Sequence, residues 1–539
     1  MKFKFYKKKA IAIFLVFLLV RLILLFTSQR SLGGDPAIFA SMAKNTYYYG
    51  ENHFYIYGEP YIGGAAIESY LAVIPFYLFG VSDLSFRLVS FSVSLLLAVI
   101  SYFLLKKFFS VRIANIFLLL AAVAPMPFIT MNIEGRGGYM EAMLFFVVLC
   151  YLFYEIFYEN KNVNRNIVLF GLTSGIAYWN YEYILPFLMF FFIFWYLTDK
   201  KLLTHRTFWL FAVSLLVAMT PVIYYNITHN FSNIEHFMAG NAIHRFACDH
   251  NLLSPKTQYG NRIIDPCKIF EMNNFKPPFS FKYFIFNTLR TVFANYLYYA
   301  IVIALIGYLI WINRKAVLLG FKSVVPSKKY NLNLKKTSKE VFLLGFSFFW
   351  IIAFILSGWM DDRHFLPIFP IILMTVAISI GRLQESKNFK MRMISWALLS
   401  LLLLSALMPL ASAFFKPDKE NISGTIDFLN QNNITHVYTN FPNKWKILFY
   451  TRENIIASCN ICPCPGQYPG AEKQMINDKN TAYLFQNTSL IGRKIISYLN
   501  NASISYNNEK IDSSMLIYNL SEPINVTKIM PECEWTGSD

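Results

Sequence analysis

Long uncharged runs alternate along this chain with short charged connections. The first run, Ala10 to about Phe26, follows Lys2, Lys4, Lys7, Lys8 and Lys9. Ten more lie near 88–105, 113–131, 138–158, 166–180, 183–198, 207–225, 290–313, 341–357, 365–381 and 393–413. A bilayer core needs about 20 apolar residues per helical crossing, so the pattern predicts about 11 transmembrane helices. No small-residue cleavage site follows the first run, which therefore reads as an uncleaved helix leaving the cytoplasm.

The charges test this count independently, because basic residues collect in cytoplasmic connections. Alternation puts Lys106, Lys107 and Arg112 on the inside, with Lys161 and Arg165, Lys200, Lys201 and Arg206, Arg314 through Lys339, and Arg382 through Arg392. Every strongly basic connection then shares one side. The stretch Tyr61 to Gly80 is also apolar, but it contains Gly63, Gly64, Glu68 and Pro75. Counting it as a crossing would turn the later basic connections outward, so it reads as a partly buried helix on the outer surface.

Composition agrees: of 539 residues 55% are hydrophobic and only 15% charged, against about 25% in soluble domains. A water-soluble fold is excluded. The net charge of +18 would suggest nucleic acid in a soluble protein; here it sets topology, and no nucleic-acid partner is expected.

The outer side then holds loops 29–87 and 226–282 and the tail. The chain divides into a transmembrane domain, 1–414, and a small extracytoplasmic α/β domain, 415–539. In the tail, helices are expected at Ile426 to Leu429 and Leu490 to Leu499. Strands are expected at His436 to Thr439, Ile447 to Tyr450, Asn454 to Ala457, Ile504 to Tyr506 and Met515 to Tyr518. Cys248, Cys267, Cys459, Cys462, Cys464 and Cys533 all fall outside, where disulfides are permitted; the Cys459–Cys464 cluster is alternatively a zinc site, though it lacks a second ribbon-spaced pair. Sequons starting at Asn226, Asn230, Asn421, Asn433, Asn487, Asn501, Asn519 and Asn525 fall on the same side.

Few acidic residues sit near outer helix ends. Asp35, in Gly-Gly-Asp-Pro, reads locally as a helix N-cap. Glu134 lies in the turn Asn132-Ile-Glu-Gly-Arg136-Gly-Gly-Tyr139. It reads as a carboxylate paired with Arg136, and the glycines would let backbone approach an anion. Asp361, Asp362, Arg363 and His364 form a polar turn in which Arg363 suits a phosphate. In the second outer loop His236, His244 and Arg245 are candidate ligands. Arg21 is expected to snorkel, and Gly171-x-x-x-Gly175 to allow close helix packing.

Taken together, GGDPAIFASMA, YGEPYIGGAAIESYLAVIPFYLFGVSDLSFRL, DRHFLPIFP and THVYTNFPNKWKILFYTRENIIAS resemble the protein O-mannosyltransferase and aminoarabinose transferase superfamily, prokaryotic members with the C-type glycosyltransferase fold. The resemblance implies transfer of a monosaccharide from a polyprenyl (dolichyl or undecaprenyl) phosphate to a hydroxyl of a lipid, glycan or protein acceptor at the outer face of the cell membrane. It implies Asp35 as catalytic base and Glu134 as the second acidic catalytic residue. Arg136, Tyr139, Arg363, His364 and Tyr61 would contact substrate. Glu68, with His244, would be the ligands if a divalent metal takes part; no cofactor is fixed, and Gly63-Gly64 stand where aminoarabinose transferases have Glu-Lys. One displacement at the anomeric carbon predicts inversion. The rival readings are a transporter or lipid flippase, for which no internal repeat is seen, an oligosaccharyltransferase, whose WWDYG-like signature Glu534-Trp535-Thr536-Gly537 does not match, and a catalytically dead scaffold.

Overall fold

Helices account for the apolar runs because only a helix satisfies its own backbone in lipid without a closed sheet. The computed structural model describes residues 2–27, 32–57, 60, 62–198, 205–234, 257–259, 262–264, 296–315, 317, 339–357, 365–414, 421–458, 480–486, 490–512 and 514–524. In chain order the helices are α1 (Lys2–Thr27), α2 (Gly34–Tyr49), α3 (Gly63–Phe79), α4 (Asp83–Phe108), α5 (Val111–Ala122), α6 (Met126–Glu134), α7 (Tyr139–Phe157), α8 (Val163–Asn180), α9 (Leu185–Thr198), α10 (Arg206–Ala218) and α11 (Thr220–Thr228). After a short hairpin, β1 (Thr257–Tyr259) and β2 (Arg262–Ile264), come α12 (Tyr296–Ile312), α13 (Lys339–Ser357), α14 (Phe369–Glu385) and α15 (Phe389–Phe414).

Over their described residues the eleven apolar runs are largely helical, but the expected number of crossings is not confirmed. Among the described residues five helices are long and apolar enough to span a bilayer, or seven if each of two bent pairs is one span. Runs 113–131 and 207–225 are each broken, α5 to α6 by 79° and α10 to α11 by 55°. Pro125 and Pro221 lie at these breaks, and a proline near a helix start lacks only an N–H that the first turn leaves unpaired. The protein is a multi-pass membrane protein whose α3 is shorter than a span. This helix buries Gly63, Gly64, Ala65, Ala66, Glu68, Ser69, Ala72 and Phe76, while Leu71, Ile74, Tyr77, Leu78 and Phe79 are exposed.

Basic connections assigned to one side meet at one end of the bundle. Lys107 pairs with Glu155, Arg382 with Glu340, and Lys339 with Glu159 at 3.7 Å. In the helix wall, Gly171 and Gly175 let α8 approach α10: a Cβ at Gly175 would lie 2.6 Å from Ala218 Cβ, and one at Gly171 would strike Ser214.

The tail folds into α16 (Ser423–Gln431), β3 (His436–Tyr438), α17 (Phe441–Tyr450), β4 (Ile456–Ser458), β5 (Thr481–Gln486), α18 (Leu490–Asn501), β6 (Asn507–Ile511) and β7 (Ser514–Tyr518). Its sheet order is β4-β3-β5-β7-β6, parallel from β4 to β5 and antiparallel beyond. The strand expected at Ile447 to Tyr450 is instead the end of α17. Asn440 Oδ1 caps that helix by accepting from the Asn443 N–H at 3.1 Å, and Pro442 stands in its first turn. Strand β5 was missed, and the strand expected at Ile504 to Tyr506 starts at Asn507. One apolar core joins this domain to α2, α3 and the start of α4, through Trp445, Leu448 and Phe449 against Ala37, Ala40, Phe76 and Phe86 among others.

Candidate active site

The bend between α5 and α6 is held by Arg21. Rather than snorkelling, this arginine is fully buried. Its guanidinium donates to the carbonyls of Ala121 (2.7 Å) and Ala122 (3.1 Å) and to Oδ1 of Asn132 (3.0 Å). Carbonyls at a helix C-terminus have no partner within the helix and carry partial negative charge, so an interior cation is well placed there. Asn132 also donates to the Phe128 carbonyl at 2.7 Å. Helix α6 is thereby fixed on α1, and at its last residue stands Glu134.

The turn that follows uses its glycines. Gly135, Gly137 and Gly138 have φ of 63°, 64° and 91°, a left-handed region that side chains rarely enter. Glu68 of α3 is buried against this turn. Its Oε2 accepts from the Gly137 N–H at 2.6 Å and its Oε1 from Ser90 Oγ at 2.8 Å. Burial pushes the carboxyl up to about 7, and the hydrogen bonds from Ser90, Gly137 and Gly138 pull it back only in part. Gly63 and Gly64 make the approach of α3 feasible: a Cβ on Gly64 would lie 2.5 Å from Gly138 Cα and 2.8 Å from the Asn180 carbonyl. Asn180 donates to the Gly138 carbonyl at 2.8 Å.

Helix α2 packs on this turn through Phe39, and Asp35 stands one helical turn earlier. The N-cap position belongs to Gly33, with no side-chain cap, and Asp35 sits inside the first turn. The local N-cap reading of Asp35 is therefore corrected. A carboxylate in the first turn is favoured by the helix dipole. Phe39, one turn later on the same face, packs on the turn, where a Cβ at Gly137 would meet its ring at 2.5 Å. Ser69 of α3 donates to the Phe39 carbonyl at 3.1 Å.

Glu134 and Arg136 pair as expected, with Nε at 2.9 Å and Nη2 at 2.7 Å from Glu134 Oε2. Arg136 remains about one-third exposed, at 35%, so its guanidinium is open to solvent. Tyr139 is buried with its ring 5.5 Å from Tyr181. Glu141, in the first turn of α7, was missed by the sequence reading. It is buried and neither carboxylate oxygen has a hydrogen-bond partner. The signal was present: an acidic residue three positions after Gly138, opening an otherwise apolar helix. A third buried carboxyl, Glu182, accepts from Asn233 at 3.4 Å, and burial raises it to about 7.

Tyr61, His244, Arg363 and His364 lie outside the described residues, as do His236, Arg245, Asp361, Asp362 and all cysteines except Cys150, which is buried and free. Among the described residues no group of three or more His, Cys, Asp or Glu could hold a metal ion. Both oxygens of Glu68 face donors within the protein, the geometry of a carboxylate bracing a turn and not of an open metal ligand. Of the sequons, Asn226 is buried, its amide donating to the Val222 carbonyl at 2.9 Å.

A family model described as dolichyl-phosphate-mannose-protein mannosyltransferase matches residues 66–225, which include most of α3, all of α4, the bent α5–α6 pair and the glycine turn. Among solved structures the chain is similar to ArnT from Cupriavidus metallidurans, in the apo state and bound to undecaprenyl phosphate. Each has 13% identity and a TM-score of 0.58, over 94% of this chain and 97% or 98% of that one. The Archaeoglobus fulgidus oligosaccharyltransferase in its apo form is similar at 13% identity and TM-score 0.50, over 91% of this chain and 70% of that one. No curated protein matches the sequence. The chain resembles the mannosyltransferase family over residues 66–225, and its fold is similar to that of ArnT.

Proposed function

We propose that the protein is an inverting glycosyltransferase that moves a monosaccharide from a polyprenyl phosphate to a hydroxyl acceptor at the outer membrane face. The observation that carries this reading is the meeting of α2, which bears Asp35, with the glycine turn, which bears Glu134 and Arg136, through Phe39 on Gly137. ArnT, whose fold the chain has, binds undecaprenyl phosphate, and the family model covering the turn is that of a dolichyl-phosphate-mannose enzyme. The distribution of basic connections supports a cytoplasmic N-terminus and an extracytoplasmic C-terminal domain.

The chemistry follows from the groups. An acceptor hydroxyl is a weak nucleophile at neutral pH, and the Asp35 carboxylate would take its proton as oxygen bonds to the anomeric carbon. The bond from that carbon to the phosphate oxygen breaks, and its electron pair leaves with the lipid phosphate. That anion is already stable, so cations serve it better than a general acid. Arg136 is the described candidate and Arg363 the one outside the described residues. Glu134 holds Arg136 in place. One inline displacement gives inverted configuration, since retention by double displacement needs two closely paired carboxyl groups.

The test incubates purified protein with a panel of polyprenyl phosphate sugars, follows release of lipid phosphate with and without chelator, and repeats it for Asp35→Asn. Transfer by the native protein and none by folded Asp35→Asn is expected. Normal turnover in that variant removes Asp35 as base, and carriage of the labelled sugar lipid across vesicles without product would favour a flippase.

A further inference from the structure

We propose that the soluble domain sets the orientation of Asp35 through a buried clamp on the opposite side of α2, centred on Lys44. This rests on the transferase reading above. Lys44 is 1% exposed, and its ammonium donates to Glu453 Oε1 at 2.7 Å and to the Leu448 carbonyl at 3.0 Å. Both acceptors belong to the soluble domain, at the end of α17 and just beyond it. Glu51 and Arg452 lie within electrostatic reach of the same ammonium. A buried ammonium is tolerated only where it is paired and hydrogen-bonded, so this contact demands one fixed docking.

Three further contacts give the docking one geometry. At the start of α2, a Cβ on Gly34 would lie 3.0 Å from Pro442 Cα, so α2 and α17 run in contact from Gly34 to Lys44. Tyr57 stacks on Trp445, with rings 5.7 Å apart and 7° from parallel. The Tyr57 hydroxyl donates to Glu51 at 2.6 Å and accepts from Asn45 of α2 at 3.0 Å. Tyr450 donates to Asp83 of α4 and accepts from the Leu32 N–H at 3.1 Å, three residues before Asp35.

Nine residues separate Asp35 from Lys44, about 14 Å along the helix and about 180° around it at 100° per residue. The clamp therefore grips the back of α2, opposite the face that carries Asp35 and the Phe39 that meets the glycine turn. Lys44 touches no reacting atom in this arrangement. It is a positioning residue that acts through the helix.

Lys44→Met should lower kcat by about tenfold to a hundredfold, the scale of a roughly 1 Å misplacement of a catalytic group, with the KM for the sugar donor unchanged. Lys44→Arg, which keeps the charge, should restore part of the loss. Lys44→Met/Glu453→Gln should be no worse than Lys44→Met alone, because the two residues share one interaction. A folded Lys44→Met with wild-type kcat overturns the proposal, as does a loss expressed mainly in KM or full additivity with Glu453→Gln. If Lys44→Met does not fold, the readings come from Lys44→Arg and Glu453→Gln, where unchanged kcat in both overturns it. Asp35→Asn in the same assay separates the two ideas: if it abolishes transfer while the Lys44 and Glu453 variants keep it, the clamp fails and the transferase reading stands. If native protein transfers no sugar, the reading beneath it fails.

Discussion

The carboxylate of Glu68 accepts a 2.6 Å hydrogen bond from the backbone N–H of Gly137, tying α3 to a turn 69 residues further along the chain. A backbone donor in that position cannot be altered by substitution, so the contact is tested from the acid. Glu68 is fully buried and its carboxyl rises from 4.5 to about 7 in the folded protein. A raised carboxyl means that the folded state holds the proton more tightly than the unfolded chain. This contribution to stability is complete below pH 4.5 and is lost as pH climbs through about 7. Thermal unfolding in detergent should therefore show stability falling as pH rises from 5 to 8, with Glu182, also raised to about 7, contributing beside Glu68. The slope should flatten in Glu68→Gln, and an equal slope in that variant would show that another group titrates.

Removing the side chain tests the brace itself. Glu68→Ala leaves the Gly137 N–H and the Ser90 hydroxyl buried without their acceptor, a cost of about 1–3 kcal/mol for each such group. A lower melting temperature and weaker protection of the turn amides in hydrogen exchange are expected.

Close approach at the turn can be separated from the general effect of glycine in helices. Gly64→Ala would push a Cβ to 2.5 Å from Gly138 Cα, backbone against backbone, where nothing flexible can yield. Overpacking of this kind costs about 1–3 kcal/mol or more. Gly307→Ala in α12 meets nothing within 4 Å and should be neutral or slightly stabilising, since alanine is the better helix former. Comparing melting temperatures of the two variants checks the assignment; similar effects would remove it.

The seat of the C-terminal sheet and its helices on α2 and α4 is open to a smaller change. Tyr450→Phe removes a hydroxyl shared between Asp83 and the Leu32 amide, leaving both groups to find water. A loss of about 1–2 kcal/mol is expected, read as faster proteolytic release of the tail.

What the sequence made legible divides by range. The pairing of Glu134 with Arg136 was readable because two residues in one turn must meet, and the packing of Gly171 and Gly175 because helix spacing puts them on one face. Hydropathy found all eleven runs, but it averages over a window and so passed through the breaks at Pro125 and Pro221. Strand β5 escaped notice because nothing local distinguishes a short buried strand from other apolar runs. Glu68 could not be read as the brace of the glycine turn: its partner is a backbone amide far along the chain, invisible to any pattern of side chains. Glu141 was not singled out, since its burial without a partner is a property of the packed bundle.

Arg21 shows the same limit and offers the sharpest structural test. An arginine late in a first transmembrane helix is reasonably expected to reach for the interface, yet here it turns inward to the last carbonyls of α5 and to Asn132 of α6. Arg21→Met would leave two helix-end carbonyls and the Asn132 amide oxygen unpaired inside the protein, and each buried acceptor left unpaired costs about 1–3 kcal/mol. Arg21→Lys keeps the charge but can reach fewer of the three acceptors, because an ammonium lacks the planar fork that spans them. Folded yield and melting temperature should therefore fall in the order native, Arg21→Lys, Arg21→Met. In Arg21→Lys, if the bend delivers Glu134 and Arg136 to the site, sugar transfer should fall further than stability does. Native stability in Arg21→Met would mean that the bend is fixed by the proline and its packing alone.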